Sequence, residues 1–155
     1  VGEDPKPAMR VDFYHLAASP IERVLPRICE RLVEQGERLV VVGEADLLDR
    51  LDQQLWTYRK DAFLPHGQAG SDPAAAQRQP ILLSSDPEPL NGAANIALAD
   101  GRWRDEALEF ARAFYFFDNG GLDEARRSWR ALKGDAGAEC RYWKQDESGR
   151  WVEGP

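Results

Sequence analysis

Leu39–Leu55, LVVVGEADLLDRLDQQL, decides the fold class of this chain. Leu39 to Val42 is an unbroken run of apolar, mostly β-branched residues, as in a strand buried on both faces of a parallel sheet. Gly43 breaks the run. Leu47, Leu48, Leu51 and Leu55 then recur at three- and four-residue spacing, the signature of one apolar helix face. A strand buried on both sides and followed at once by an amphipathic helix is the beginning of a βαβ unit.

The same alternation extends in both directions. Upstream, Arg10 to Leu16 (RVDFYHL) alternates Val11, Phe13 and His15 against the other side, as a strand does. Ser19, Pro20 and Glu22 then read as a capping serine, a proline at the first helical position and an acid at the third. Ile21, Val24, Leu25, Ile28 and Leu32 follow at helical spacing until Gly36, with Pro26 inside the helix, where it should kink the second turn. Downstream, 57–79 reads as loop. Ile81 to Leu83 and Asn95 to Ala99 are short strands separated by a turn at Pro89, Asn91 and Gly92. A short helix from Asp105 to Ala111 precedes a buried strand from Ala113 to Phe117. Asn119-Gly120-Gly121 opens a helix from Leu122 to about Lys133. Glu139 to Lys144 and Arg150 to Val152 complete the pattern as a strand and its return. The expectation is an α/β, single-domain, Rossmann-like fold in three layers, with a mostly parallel sheet, helices on both faces and no phosphate-binding loop. Residues 1–8, VGEDPKPA, are expected to be a flexible leader, either a cloning remnant or an upstream start, ahead of a domain over 9–155.

Composition narrows the function classes. The 155 residues are 43% hydrophobic and 30% charged, a balance that suits a soluble globular domain. No apolar run nears the roughly 20 residues of a membrane span, so no membrane association is expected and the location is read as cytoplasmic. The formal net charge of -7 opposes broad binding to a phosphate backbone. Cys29 falls on an apolar helix face and Cys140 in a strand, so both read as buried thiols rather than a disulfide.

Catalytic chemistry finds no constellation. Ala17-Ala18-Ser19-Pro20, after the first strand, lacks the glycines that let a backbone approach a pyrophosphate. Glu44 puts a carboxylate where an anion would sit. His15 and His66 stand alone, so no metal is expected. His66 reads as a packing or hydrogen-bonding residue, and Ser19, Ser84 and Ser85 sit in no nucleophile elbow. No cofactor is expected. A nucleotide-using enzyme on a Rossmann-like fold is the alternative of another class.

Two segments point to binding. Arg126, Arg130 and Lys133 are spaced four and three apart on one helix face, with Trp129 beside them. From Gly121 to Lys144 there are six basic and four acidic residues, a local excess of +2 in an acidic chain. That combination suits a short acidic peptide with an apolar anchor: arginine clamps a carboxylate while tryptophan supplies a wall. Direct binding of single-stranded DNA through Trp129 and Trp143 is a third reading, opposed by the overall acidity. Arg23, Arg27 and Arg31, interleaved with Glu22, Glu30 and Glu34, read as a salt-bridged surface. The other segment, Leu51–Gly67, LDQQLWTYRKDAFLPHG, carries Trp56, Tyr58, Phe63, Leu64 and Pro65 into a loop. Large apolar residues in a loop either return to the core or meet a partner.

These segments resemble the chi subunit of bacterial DNA polymerase III. The likeness rests on FYHL at Phe13, LDQQLWTYRKDAFLPHG at Leu51, QPILLSS at Gln79 and NG at Asn91. ARRSWRALK at Ala125 and RYWKQDESGRW at Arg141 extend it, so that it covers Arg10 to about Trp151. The resemblance implies a non-catalytic adaptor of the clamp-loader complex, with no cofactor and contact with DNA only indirectly. Its implied partners are the psi subunit and the acidic C-terminal tail of single-stranded DNA-binding protein. By similarity the tail meets Arg126, Arg130, Lys133 and Trp129, with Arg126 on the terminal carboxylate. Trp56, Phe63 and Pro65 face psi. Leu122 stands where the family pattern expects a basic residue, which places more weight on Arg126 and Arg130. An additional residue falls near Gly134-Asp135.

Overall fold

The computed structural model describes residues 9–17, 19–58, 64–70, 72–136 and 138–154. Its strands are β1 (Arg10–His15), β2 (Leu39–Val42), β3 (His66–Gln68), β4 (Ile81–Ser84), β5 (Asn95–Leu98), β6 (Arg112–Phe117), β7 (Glu139–Gln145) and β8 (Trp151–Glu153). The helices are α1 (Ile21–Glu34), α2 (Ala45–Thr57), α3 (Pro73–Gln77) and α4 (Leu122–Ala131). The strands form one sheet in the order β3-β4-β2-β5-β6-β1-β7-β8. Every pairing is parallel except that of β7 with β8.

Alternation along the strands sorts side chains between two cores. Leu39 and Val41, Ile81 and Leu83, and Phe114 and Phe116 face one side, where α1 and α2 cover them. Val40 and Val42, Ile96 and Leu98, and Val11 and Phe13 face the other, under α4 and the 3-10 turn at Asp105–Glu109. All four residues of β2 are fully buried, as a central strand in a three-layer α/β fold requires. The expected class and layering hold.

Four local expectations change. Ser19 does not cap α1; the cap position is Pro20, with no side-chain hydrogen bond. Gln145, arriving on β7, takes the Ser19 amide at 3.1 Å and donates to its hydroxyl at 3.1 Å. The stretch read as loop over 57–79 contains β3 and α3, the latter capped by the Asp72 carboxylate on the Ala74 amide at 3.1 Å. The helix expected from Leu122 to Lys133 becomes a π turn over Leu132–Ala136. A π turn takes up one residue more than an α turn. Finally, Glu22 pairs across to Arg50 on α2 at 3.2 Å, so that acid braces two helices.

Buried polar groups help fix the sheet, Asn91 and Asp12 among them. Asn91 donates through Nδ2 to the Gln79 carbonyl at 2.9 Å, with Pro80 and Leu39 carbonyls at 3.3 Å. It ties the starts of β2 and β4, and Gly92 behind it has φ +72, a conformation that glycine adopts without strain. Asp12, on β1, is fully buried, and Arg10, Arg112 and the Trp143 indole all donate to its carboxylate.

Candidate functional site

α4 is amphipathic with a short apolar face. Ala125 and Ser128 are buried against the sheet, Leu122 and Trp129 are partly buried, and Arg126 and Arg130 project from the flank. The small side chain of Ala125 lets a cavity of about 380 Å³ open between helix and sheet. Phe13 of β1, Phe117 of β6 and Tyr142 of β7 line it from the sheet, in successive strands; Leu122 and Trp129 wall it, with Arg126 and Arg130 at the helix side. Trp129 meets Phe13 edge-on at 5.1 Å between centroids, and Phe13 in turn meets Tyr115 at 5.3 Å. This packing fixes the apolar wall before any ligand arrives.

The charges at this cavity are uncommitted. Among the described residues, neither Arg126 nor Arg130 has an ion-pair or hydrogen-bond partner, and both are exposed. Lys133, the third member of the stripe, does not line the cavity; its Nζ lies over the Trp129 ring, 4.6 Å from the centroid. Leu122, at the position where a basic residue was expected, adds apolar wall in place of charge. Burial pushes the Tyr142 hydroxyl pKa up, against the opposing charge of Arg126, so it stays a phenol. The result is an apolar slot with two available guanidiniums at its edge. It fits a carboxylate attached to an apolar group.

A second cavity, of about 600 Å³, opens at the carboxyl ends of β1, β2, β5 and β6, where doubly wound folds hold nucleotides. Its lining includes Glu22, Glu44, Asp100 and Asp118 against one cation, Arg50. Pro20, at the α1 cap, has no N–H to offer, and the Ser19 amide is taken. A phosphate there meets this carboxylate cluster, with neither Ser19 nor Pro20 able to offer an amide. Asp100 is engaged by Arg104 in a forked pair, at 2.9 and 2.8 Å. Burial would raise the Asp100 pKa, but the hydrogen bonds and charge of Arg104 outweigh it and hold it below the usual value. The stabilisation is therefore present above the ordinary aspartate range and is lost as pH falls through the depressed folded pKa. Asp100→Asn should lower stability by about 1–3 kcal/mol at pH 7. Urea midpoints of the two proteins should converge as pH falls below the ordinary aspartate range.

The Trp56 region lies at the far edge of the sheet. Trp56, near the end of α2, is 54% exposed and its ring centroid lies 4.6 Å from that of His66 on β3. His66 is buried; its Nδ1–H donates to the Leu64 carbonyl at 2.7 Å, and Nε2 lies 3.2 Å from Asp52 without hydrogen-bond alignment. Leu64 returns to the core, Pro65 is half-buried, and Phe63 lies outside the described residues. The cysteines are free thiols. Burial pushes Cys29 up to about 12, and it raises Cys140 as well.

The profile of the DNA polymerase III chi subunit family, HolC, matches residues 9–140. The chain belongs to that family. The assignment places it among the accessory subunits of a replicative polymerase. No curated protein matches the chain. In this chi-family chain the features that carry the fold span the matched region, including β2, the Asn91 turn and α4. Among the described residues no helix is long and apolar enough to cross a membrane, and no group of three or more metal-binding side chains occurs.

Sequence reasoning found the helix side of the α4 cavity but not its floor. Phe13, Phe117 and Tyr142 are brought together by strand order, through pairing of β1 with both β6 and β7. No spacing in the sequence carries that information.

Proposed function

We propose that this chain is a non-catalytic adaptor of the polymerase III clamp-loader complex. It binds the acidic C-terminal tail of single-stranded DNA-binding protein in the α4 cavity and reaches the clamp loader through psi. The domain is 9–155, it acts in the cytoplasm, and its contact with DNA is indirect. The observation that carries the reading is the pairing of two uncommitted guanidiniums, Arg126 and Arg130, with an apolar slot walled by Trp129. A tail peptide supplies the matching pair, a terminal carboxylate and apolar side chains. Lys133, held on the Trp129 ring, adds positive field to the wall.

The two proposed faces lie at opposite ends of the strand order. The tail cavity sits over β6, β1 and β7, whereas Trp56 is beside the β3 edge and on the opposite layer. Both partners therefore have room to bind at once, as an adaptor requires. Trp143 stacks on Tyr14 at 6.3 Å and spends its indole N–H on Asp12, so it serves the fold rather than a nucleotide base.

Calorimetric titration with the tail peptide tests the reading. The tail should bind with an affinity that falls as salt rises, because exposed charges are screened. A C-terminally amidated tail should bind at least tenfold more weakly, since it lacks the carboxylate. Equal affinity for both peptides would remove Arg126 as the carboxylate partner. At the other face, Trp56→Ala should weaken binding of purified psi by roughly tenfold or more, the scale of an exposed aromatic anchor. Unaltered psi affinity in that variant would move the psi interface elsewhere.

A further inference from the structure

His15, at the carboxyl end of β1, sits behind the α4 cavity. Its ring stacks on Phe117, with centroids 5.1 Å apart and planes 13° apart. Nε2 lies 2.7 Å from the Asn119 side-chain oxygen, and Nδ1 lies 2.9 Å from the Tyr142 hydroxyl. Tyr142 is fixed from a second direction. Gly154 donates its amide to the Tyr142 carbonyl at 2.8 Å, and a Cβ on Gly154 would clash with the Tyr142 ring. Only a glycine fits there without moving the tyrosine. Tyr142 is thus a built part of the cavity wall, positioned at its hydroxyl by His15 and at its ring by Gly154.

The hydrogen bonds assign the protons. The Asn119 oxygen is an acceptor, so Nε2 carries hydrogen in the neutral ring. Nδ1 is then bare and accepts the Tyr142 hydroxyl hydrogen. In that state the phenolic oxygen has only lone pairs left, which repel a carboxylate. In the imidazolium both ring nitrogens donate. Nδ1–H then points at the phenolic oxygen, and the hydroxyl hydrogen is released towards the cavity.

We propose that Tyr142, set by His15, is a specificity-determining residue of the α4 cavity, its hydroxyl turning from acceptor to donor towards a bound carboxylate when His15 gains a proton. The inference rests on the tail-binding reading and adds to it a residue pair and a pH dependence. The charged and titratable groups around His15 are Tyr142 and Lys144 on β7, Asp118 in the turn after β6, and Arg126 on α4 beyond Tyr142. Lys144, in register with His15, opposes the added proton, as does Arg126. Asp118 and the incoming carboxylate favour it. A carboxylate ligand that takes the hydroxyl hydrogen therefore binds with proton uptake, and its affinity rises as pH falls.

The test is calorimetry with a synthetic acidic peptide that ends in an apolar residue and a free carboxylate, at pH 8.0 and pH 5.5. The wild-type protein should bind more tightly at the lower pH, by roughly tenfold or more, the scale of one charge-assisted hydrogen bond. Titrations between these pH values in buffers of different ionisation enthalpy should show net proton uptake, a readout that needs no variant. His15→Gln should abolish both the uptake and the pH slope. Tyr142→Phe, which keeps the ring, should lose most of the slope while retaining the affinity seen at pH 8.0. A flat wild-type profile, or a full slope in Tyr142→Phe, would overturn the proposal. Arg126→Ala separates the two readings. If it weakens binding at both pH values while the wild-type profile is flat, the cavity stands and the relay falls. If the wild type does not bind at either pH, both fall.

Discussion

Asp12→Ala should lower the unfolding free energy by about 3 kcal/mol, the lower end of the range for removing one partner of a buried ion pair. The carboxylate is fully buried in the middle of the sheet and accepts from Arg10 Nη2 at 3.0 Å, Arg112 Nε at 2.9 Å and Trp143 Nε1 at 3.0 Å. These donors arrive from β1, β6 and β7, so one side chain ties three adjacent strands. Its loss leaves two guanidiniums without a counter-charge and an indole N–H without an acceptor. The effect stays at the lower end because Arg10 and Arg112 are 30% and 32% exposed and can recover water. For a chain of this size the thermal midpoint should fall by roughly 6–12 °C. Asp12→Asn, which keeps an acceptor for Trp143, should lie between. Urea unfolding of the three proteins measures the order, and an Asp12→Ala midpoint equal to wild type would show that the three strands hold without this link.

Arg126→Ala should weaken binding of the tail peptide by at least an order of magnitude. A charge-assisted hydrogen bond contributes about 1.5–3 kcal/mol, which spans that factor and more. Arg126 is the stronger candidate of the pair because it lies beside the cavity floor as well as the helix flank, close enough for its charge to act on the Tyr142 hydroxyl. It is exposed and uncommitted, so its removal breaks no packing and should leave stability within about 0.5 kcal/mol. The variant therefore separates binding from folding. Calorimetry reads the affinity and thermal unfolding checks the fold. Loss of binding at unchanged midpoint is expected; unchanged binding would move the carboxylate to another residue.

The central sheet was legible because burial on both faces leaves its mark on composition. Leu39–Val42 could hardly be anything but an inner strand, and the structure assigns the same bounds. The edge was not legible. β3 and α3 are three and five residues long, too short to show a period, and their register is set by β4 and by the Asp72 cap. Ser19 carried a good helix-start signal, yet Gln145, 126 positions away, took its amide, so a long-range contact overrode a local preference. At the α4 cavity, spacing alone placed Arg126, Arg130 and Trp129 together. The floor depended on which strands neighbour β1, and Lys133, the third cation of the stripe, lies with its Nζ over the Trp129 ring rather than on the cavity lining. Helical spacing fixes which residues share a face; it does not say which of them a neighbouring ring will draw in.

A crystal structure of the chain with the single-stranded DNA-binding protein tail peptide bound tests the central claim most directly. The terminal carboxylate should lie within hydrogen-bond distance of the Arg126 guanidinium, with the last apolar side chain between Trp129 and the Phe13, Phe117 and Tyr142 floor. A peptide seated in the acidic crevice at the carboxyl ends of β1, β2, β5 and β6, or along the Trp56 edge, would contradict it.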